Sequence, residues 1–487
     1  MTDSEYLTLA LRGWPELDRK PRKQRRTHLP RLLLVVDTET RTDPAQALTF
    51  GSAMLARLRH GQVEPVKEVL FHADDLADTD PTGYATLAEY AAAKDELSLV
   101  SRAEFVSEWL FKYCYRKPGT KKGRGDESAT LVAFNAPFDL SRLAEDCGDA
   151  RGDMAGGFSL RMAPLHDGKE DTYRPRLLVK HLDSKKALFK WGTTRESGSA
   201  DAPSDRGQFL DLRTLIWSLT NEAVTLARGC DMFQVEHGKM ETAEHGIITA
   251  EYIDYNRRDV LATTELAVKV LAEFATHPVS LQATKSYSPA SVAKAYVREM
   301  GITPMLDRVG VPTDPALLGA VTSTFYGGRA ECHIRNVPVP ISVCDFTSMY
   351  PTVDILMRIW DLLTFEHVEV IDCTEEIHRT LDTLTVPECL DPALWSGFVG
   401  CVQIEPNGDI LPVRATYGTI PGQYNVGVNR LHSPRPMWYS IPDVIASTLL
   451  TGKPPRVVRA IRFVPAGERL ATLQPVKLAG TIRGSSS

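Results

Sequence analysis

A run of five aliphatic residues, Leu32 to Val36, leads directly into Asp37-Thr38-Glu39. A short, continuous apolar run with polar sequence on both sides reads as a strand buried on both faces. Two acids at the end of such a strand are a constraint, because charged groups there must be solvated, paired or bound to a metal. The two carboxylates are two residues apart and so project from the same side of an extended chain. The same spacing at Asp3-Ser4-Glu5 lies in a polar arm and lacks this context. A second buried strand, Thr130 to Phe134, runs into Asn135-Ala136-Pro137-Phe138-Asp139, where helical composition begins and continues to Cys147. Asn and Asp at that place also suit a helix cap.

Strands alternate with helices over roughly the first 275 residues, which indicates an α/β layer architecture. Residues 250–275 form the clearest helix, with Ile253, Val260, Leu261, Leu266, Val268 and Leu271 and neither Gly nor Pro. The stretch 164–207 is rich in charge and small polar residues and is expected to be an inserted loop region, after which Phe209 to Ile216 resumes a strand-like pattern. Ser286 to Met300 reads as a helix, and Phe398 to Glu405 and Arg456 to Val464 alternate like half-buried strands. This α+β texture places a boundary near 276–285. The expected organisation is a basic arm at 1–30, an α/β domain at 31–275, a connecting segment at 276–335, a second domain at 336–465 and a tail at 466–487.

The 487 residues carry a formal charge of −6, which argues against a surface that is basic throughout. Local basic runs remain, one from Arg19 to Arg26 and one from Lys112 to Arg124, and nucleic-acid affinity follows local charge. The eight cysteines are widely spaced with no CxxC pair, so neither a zinc cluster nor a disulfide framework is indicated. A reducing, cytoplasmic location is expected, since the early apolar run is too short for a signal peptide or a membrane span.

Tyr255-Asn256-Arg257-Arg258-Asp259 lies within the long helix, where residues four apart share a face, so Tyr255 and Asp259 point into one space. Y-x-x-x-D recurs at Tyr350 to Asp354, so the spacing means little outside its company. In order, Asp37, Glu39, Asp139 and Asp259 supply four carboxylates from three segments, with a tyrosine four residues before the last. This set resembles the DEDD-type 3′→5′ exonucleases that use a tyrosine, the proofreading kind joined to family B DNA polymerases. The resemblance implies an RNase H-like fold and a pair of Mg²⁺ or Mn²⁺ ions. Asp37, Glu39 and Asp259 would hold the ions, Asp139 would support the second through solvent, and Tyr255 would orient the attacking water. Asn135 and Phe138 would contact DNA. Phosphodiester hydrolysis needs hydroxide at neutral pH and a stabilised leaving oxygen, which two cations supply. Hard cations favour oxygen ligands, hence carboxylates rather than His or Cys.

Further along, Tyr326-Gly327-Gly328-Arg329 is similar to the DNA-contacting segment that joins exonuclease to polymerase in family B enzymes. Asp345-Phe346-Thr347-Ser348-Met349-Tyr350-Pro351-Thr352 resembles their first palm motif. By that resemblance Asp345 would bind metal, Ser348 and Met349 would hold a nucleotide triphosphate, and Tyr350 would exclude a ribose 2′-hydroxyl. The family's lysine-bearing fingers motif and D-T-D palm motif have no counterpart after residue 352. The expectation is therefore an α/β RNase H-like exonuclease domain followed by an incomplete α+β polymerase palm. The partner is single-stranded or primer–template DNA. Two other readings stand beside it: a polymerase subunit completed by a separately encoded half, and a non-catalytic DNA-binding remnant.

Overall fold

The computed structural model describes residues 11–13, 31–59, 61–115, 128–171, 173–192, 207–240, 245–302, 314–328, 334, 336–344, 349–416, 424–469 and 482–484. The chain is mixed α/β and divides into two compact units, Arg22–Glu299 and Met1–Pro21 with Met300–Ser487.

The unit Arg22–Glu299 is organised by the aliphatic run. Strand β1 (Leu32–Thr40) sits inside a six-stranded sheet with β2 (Leu48–Arg59), β3 (Gln62–His72), β4 (Leu97–Ser101), β5 (Thr130–Ala133) and β10 (Gln208–Asp211), in the order β10-β5-β1-β2-β3-β4. Only β2 runs against the other five. Successive residues of β1 face opposite sides, and both sides are covered. Leu32, Leu34 and Val36 enter one core with Phe50, Phe71 and Leu131, whereas Leu33 and Val35 enter another with Val132 and Leu210. That double burial is why the strand reads as a continuous apolar run rather than an alternation.

Three helices frame the end of this sheet: α1 (Pro81–Ala92), α2 (Ala136–Arg142) and α5 (Ala250–Ala275). Helix α5 starts at Thr249, whose side chain accepts from the Tyr252 amide at 3.2 Å, satisfying one of the free donors at a helix start. Its later apolar residues Val260, Leu266, Val270 and Leu271 lie in the second core. It is tied to the sheet by Arg257, whose Nε and Nη2 donate to Glu68 on β3 at 2.5 and 2.7 Å and whose Nη1 donates to Tyr90 on α1 at 2.8 Å.

Several expectations need correction. The stretch 164–207 is not simply loop: β8 (Leu177–Asp183) and β9 (Lys186–Trp191) join β6 (Asp146–Asp149) and β7 (Phe158–Arg161) in an antiparallel sheet of order β9-β8-β7-β6. Its charges sit on an outer surface, where Arg176 bridges Glu170 and Asp146, while Leu177, Val179 and Trp191 are buried. Helix α2 stops at Arg142 and Asp146–Asp149 is strand, so the helical composition up to Cys147 overran the element. The Phe209–Ile216 pattern splits into β10 and helix α3 (Leu212–Thr220), which helix α4 (Leu226–Met232) follows. The unit boundary falls after Glu299 rather than at 276–285, because helix Pro289–Glu299 packs on α3. His277 and Tyr296 bond at 2.8 Å, and Val292 and Ala295 are buried. Leu11–Gly13 pairs with Ile482–Gly484, so parts of the expected arm and tail form a two-stranded ribbon.

The other unit holds an antiparallel sheet ordered Phe365–Asp372, Arg456–Arg469, Gly400–Glu405 and Met437–Ser440. Helices Thr374–Thr383 and Ile441–Thr451 cover it around Val402, Ile404, Tyr439 and Val444, and a hairpin pairs Asn407–Thr416 with Tyr424–His432. Among the described residues, no helix is long and apolar enough to cross a membrane.

Replacing Arg257 with Ala should destabilise this fold by about 2 kcal/mol, since it strands the Glu68 carboxylate. Urea unfolding of the two proteins would measure it.

Candidate active site

Strands β1, β5 and β10 are parallel neighbours, so their carboxyl ends lie together, the place where open α/β sheets hold ligands. Each ends in an acid or hands over to a helix that carries one. Asp37 and Glu39 close β1, Asp139 lies in the first turn of α2 just beyond β5, and Asp211 closes β10. Asp139 and Asp211 are buried, and Asp37 and Glu39 are half-buried. Gly51 lies opposite Thr38 on β2, and a Cβ there would come within 2.4 Å of the Phe71 ring and 2.5 Å of the Asp37 carbonyl oxygen. The absence of a side chain lets the core close around the strand end.

Thr38, between the two acids, points to the other side and meets Asp139. Its amide and its hydroxyl donate to Asp139 Oδ1 at 3.1 and 2.9 Å. Asp37 and Glu39 face α5 instead. Asn256 Nδ2 donates to Asp37 Oδ2 at 2.7 Å and Glu39 Oε1 at 3.4 Å, and the Tyr252 hydroxyl donates to Glu39 Oε2 at 2.5 Å. Asp259 lies one turn past Tyr255 and pairs with Lys239 Nζ at 3.2 Å, while the same ammonium sits 5.3 Å from the Tyr255 ring centre. The expected Asp37, Glu39, Asp139, Tyr255 and Asp259 are thus gathered at one end of the sheet.

Burial of so many acids has an electrostatic consequence. Burial first, and then the charges of Asp139, Glu39 and Asp259, hold the Asp37 carboxyl well above its ordinary range. Burial raises Glu39 to about 6 against the pull of Tyr252 and Asn256, and raises Asp139 to about 7 against its Thr38 hydrogen bonds. Asp211 is raised by burial to about 6, with Thr214 pulling the other way. Burial also raises Asp259, opposed mainly by Lys239. Positive charge brought into this cluster would favour the ionised forms of all these groups.

The donor set suits a hard divalent cation: all-oxygen, acidic and partly dry. Asp259 Oδ1 is buried with no hydrogen-bond partner, as are Asp211 Oδ1 and Asn256 Oδ1. The carboxylates do not crowd together, however. Among the described residues, the group with three ligand atoms within 4.8 Å of one another is Glu236, His237 and Glu265. There His237 already occupies both Glu265 oxygens, through Nδ1 at 2.6 Å and its amide at 2.9 Å. The acids of the sheet end are instead spread among donors, Thr38, Tyr252, Asn256 and Lys239, as mutual repulsion requires.

Around the acids, Asn135 is exposed at the helix start and makes no side-chain cap bond, and Phe138 is half-buried with the Arg142 guanidinium 4.8 Å from its ring centre. In the other unit, the Tyr326 ring stacks on Tyr439 at 5.5 Å, the Arg414 guanidinium lies 4.9 Å from the Tyr326 ring centre, and Gly327 and Gly328 are exposed. Met349 and Tyr350 begin helix Met349–Leu356 and are exposed, Tyr350 at 73%. Arg329, Asp345 and Ser348 lie outside the described residues. Sequence reasoning passed over Tyr252, Asn256, Asp211 and Lys239. Tyr252, Asn256 and Asp259 form a stripe at i, i+4, i+7, and Asp211 ends an apolar strand just as Asp37 does. Lys239 lies in irregular sequence that carries no such signal.

Because folding raises these acids, the folded chain binds protons more tightly than the unfolded chain between about pH 4 and pH 7. Stability should therefore fall as pH rises through that window. In metal-free buffer the unfolding midpoint should be about 5 °C lower at pH 8 than at pH 5.5, and Asp139→Asn should shrink the difference. Thermal melts across this range provide the measurement. No protein-family model, curated protein or solved structure matches the chain.

Proposed function

We propose that the chain is a metal-dependent 3′→5′ exonuclease acting on DNA, with Arg22–Glu299 an RNase H-like unit of the proofreading kind. One observation carries the reading: Asp37 with Glu39 and Asp139 stand at the carboxyl ends of parallel neighbouring strands, and the helix that bears Asp259 is bonded to that acidic pair through Tyr252 and Asn256. A purely structural core has little reason to hold four acids there at a cost in stability, whereas a cation site requires it.

Asp37, Glu39 and Asp259 would be the direct ligands of Mg²⁺ or Mn²⁺, and Asp139, fixed by Thr38, would act through solvent. When bound, such ions acidify water and offset charge on the departing oxygen. The remaining work falls to the protein. Tyr255, beside Asp259 and Lys239, orients the attacking water, and the Lys239 ammonium lies where negative charge gathers. Lys239 keeps its proton firmly: burial works against it, but Tyr255 and Asp259 hold its pKa above the ordinary value. Asn135 and Phe138, at the helix start beside Asp139, would meet a terminal nucleotide. For the other unit, the polymerase-like reading rests on the motif resemblance alone.

With Mg²⁺ or Mn²⁺ the protein should shorten 5′-labelled single-stranded DNA from its 3′ end one nucleotide at a time. Asp37→Ala and Asp259→Ala should abolish the ladder. Tyr255→Phe should slow it on the order of 10²-fold with little change in DNA affinity. A wild-type protein inert with both ions, or an Asp37→Ala variant of full activity, contradicts the proposal.

A further inference from the structure

Two side chains that grip the acidic pair have no role assigned by the motif that pointed to the site. Tyr252 and Asn256 lie one turn apart on α5, and both are buried, Asn256 completely. Between them they engage both oxygens of Glu39, Tyr252 on Oε2 and Asn256 on Oε1, and Asn256 also holds Asp37 Oδ2. A carboxylate bonded at both oxygens by donors on a helix has lost its freedom to rotate. It still keeps lone pairs, because each carboxylate offers about four acceptor sites.

The donors are themselves fixed. The Tyr252 ring meets Phe50 edge-on at 5.3 Å, and Phe50 is the β2 residue opposite Glu39. His245 packs edge-on against the same tyrosine at 5.6 Å. Arg257, the residue after Asn256, anchors the helix to Glu68. Strand and helix therefore hold the acidic pair in one arrangement from both sides.

We propose that Tyr252 and Asn256 are positioning residues that set the orientation of Glu39 and Asp37 for a divalent cation. This rests on the cation-dependent reading of the site and adds to it two residues that act through the ligands. Donors to ligating carboxylates commonly change metal affinity by about 10–100-fold when removed, because the ligand must then be ordered as the ion binds. Tyr255, one residue before Asn256, acts differently, because it lies with Lys239 and Asp259 rather than against Glu39.

The test is Mn²⁺ binding by the full chain, followed by loss of the free-ion electron paramagnetic resonance signal, with thermal melts to establish folding. Tyr252→Phe and Asn256→Ala should each raise the Kd of the Asp37-dependent site about 10-fold. Exonuclease kcat should recover at saturating Mn²⁺, with KM for DNA unchanged. A folded Tyr252→Phe protein that binds Mn²⁺ as tightly as wild type overturns the inference, and Tyr252→Phe alone decides the matter if Asn256→Ala does not fold. Weakened binding in the variants of a wild type that cleaves no DNA would support the positioning role while sinking the nuclease proposal. A wild type with no Asp37-dependent Mn²⁺ binding overturns both.

Discussion

Everything at the sheet end follows from one electrostatic difficulty: several acids are withdrawn from water around the end of a single strand. Desolvation penalises each carboxylate, and their mutual repulsion adds to it. The fold offsets this with donors as well as with distance. Thr38 turns to Asp139, Tyr252 and Asn256 cover Glu39 and Asp37, and Lys239 pairs with Asp259. These donors come from β1 itself, from α5 and from the segment leading to α5, so the site depends on the packing of that helix. Arg257 and Glu68 thereby become relevant to the site although neither touches its acids.

The framework of this unit was largely legible in the sequence, for physical reasons that differ between elements. The Leu32–Val36 run could hardly be anything but a doubly buried strand, and its two faces do enter two separate cores. Helix α5 spans the residues its periodicity suggested because Thr249 caps it and no Gly or Pro interrupts it. The sheet of β6 to β9 was hidden because its strands are short and lie among charges that pair with one another, as Arg176 does with Glu170 and Asp146. Local composition there reports the exposed surface and conceals Leu177, Val179 and Trp191 beneath it.

Four of the acids gathered at the sheet end were legible in the sequence, whereas Asp211 and the donors were not. Spacing and context single out Asp37, Glu39, Asp139 and Asp259, whereas a tyrosine, an asparagine or a lysine nearby has many ordinary uses. Tyr252 and Tyr255 differ by three positions on one helix, yet one is bonded to Glu39 and the other lies against Lys239. Helical spacing alone does not separate those roles, because both residues lie near the same face and the difference arises from what β1 presents to each. The second unit shows the opposite case. Tyr326, marked by its neighbouring glycines, stacks on Tyr439, which shows how readily a motif tyrosine also serves packing.

Whether the acids at the ends of β1 and β5 and along the first turns of α5 form a cation site is tested most directly by anomalous diffraction. Crystals soaked in Mn²⁺ suit the purpose, because the ion reports its own position. The expected result is an anomalous peak coordinated by Asp37 and shared with Glu39 or Asp259. Manganese bound only at Glu236, His237 and Glu265, with nothing at Asp37, would contradict a cation site at the sheet end.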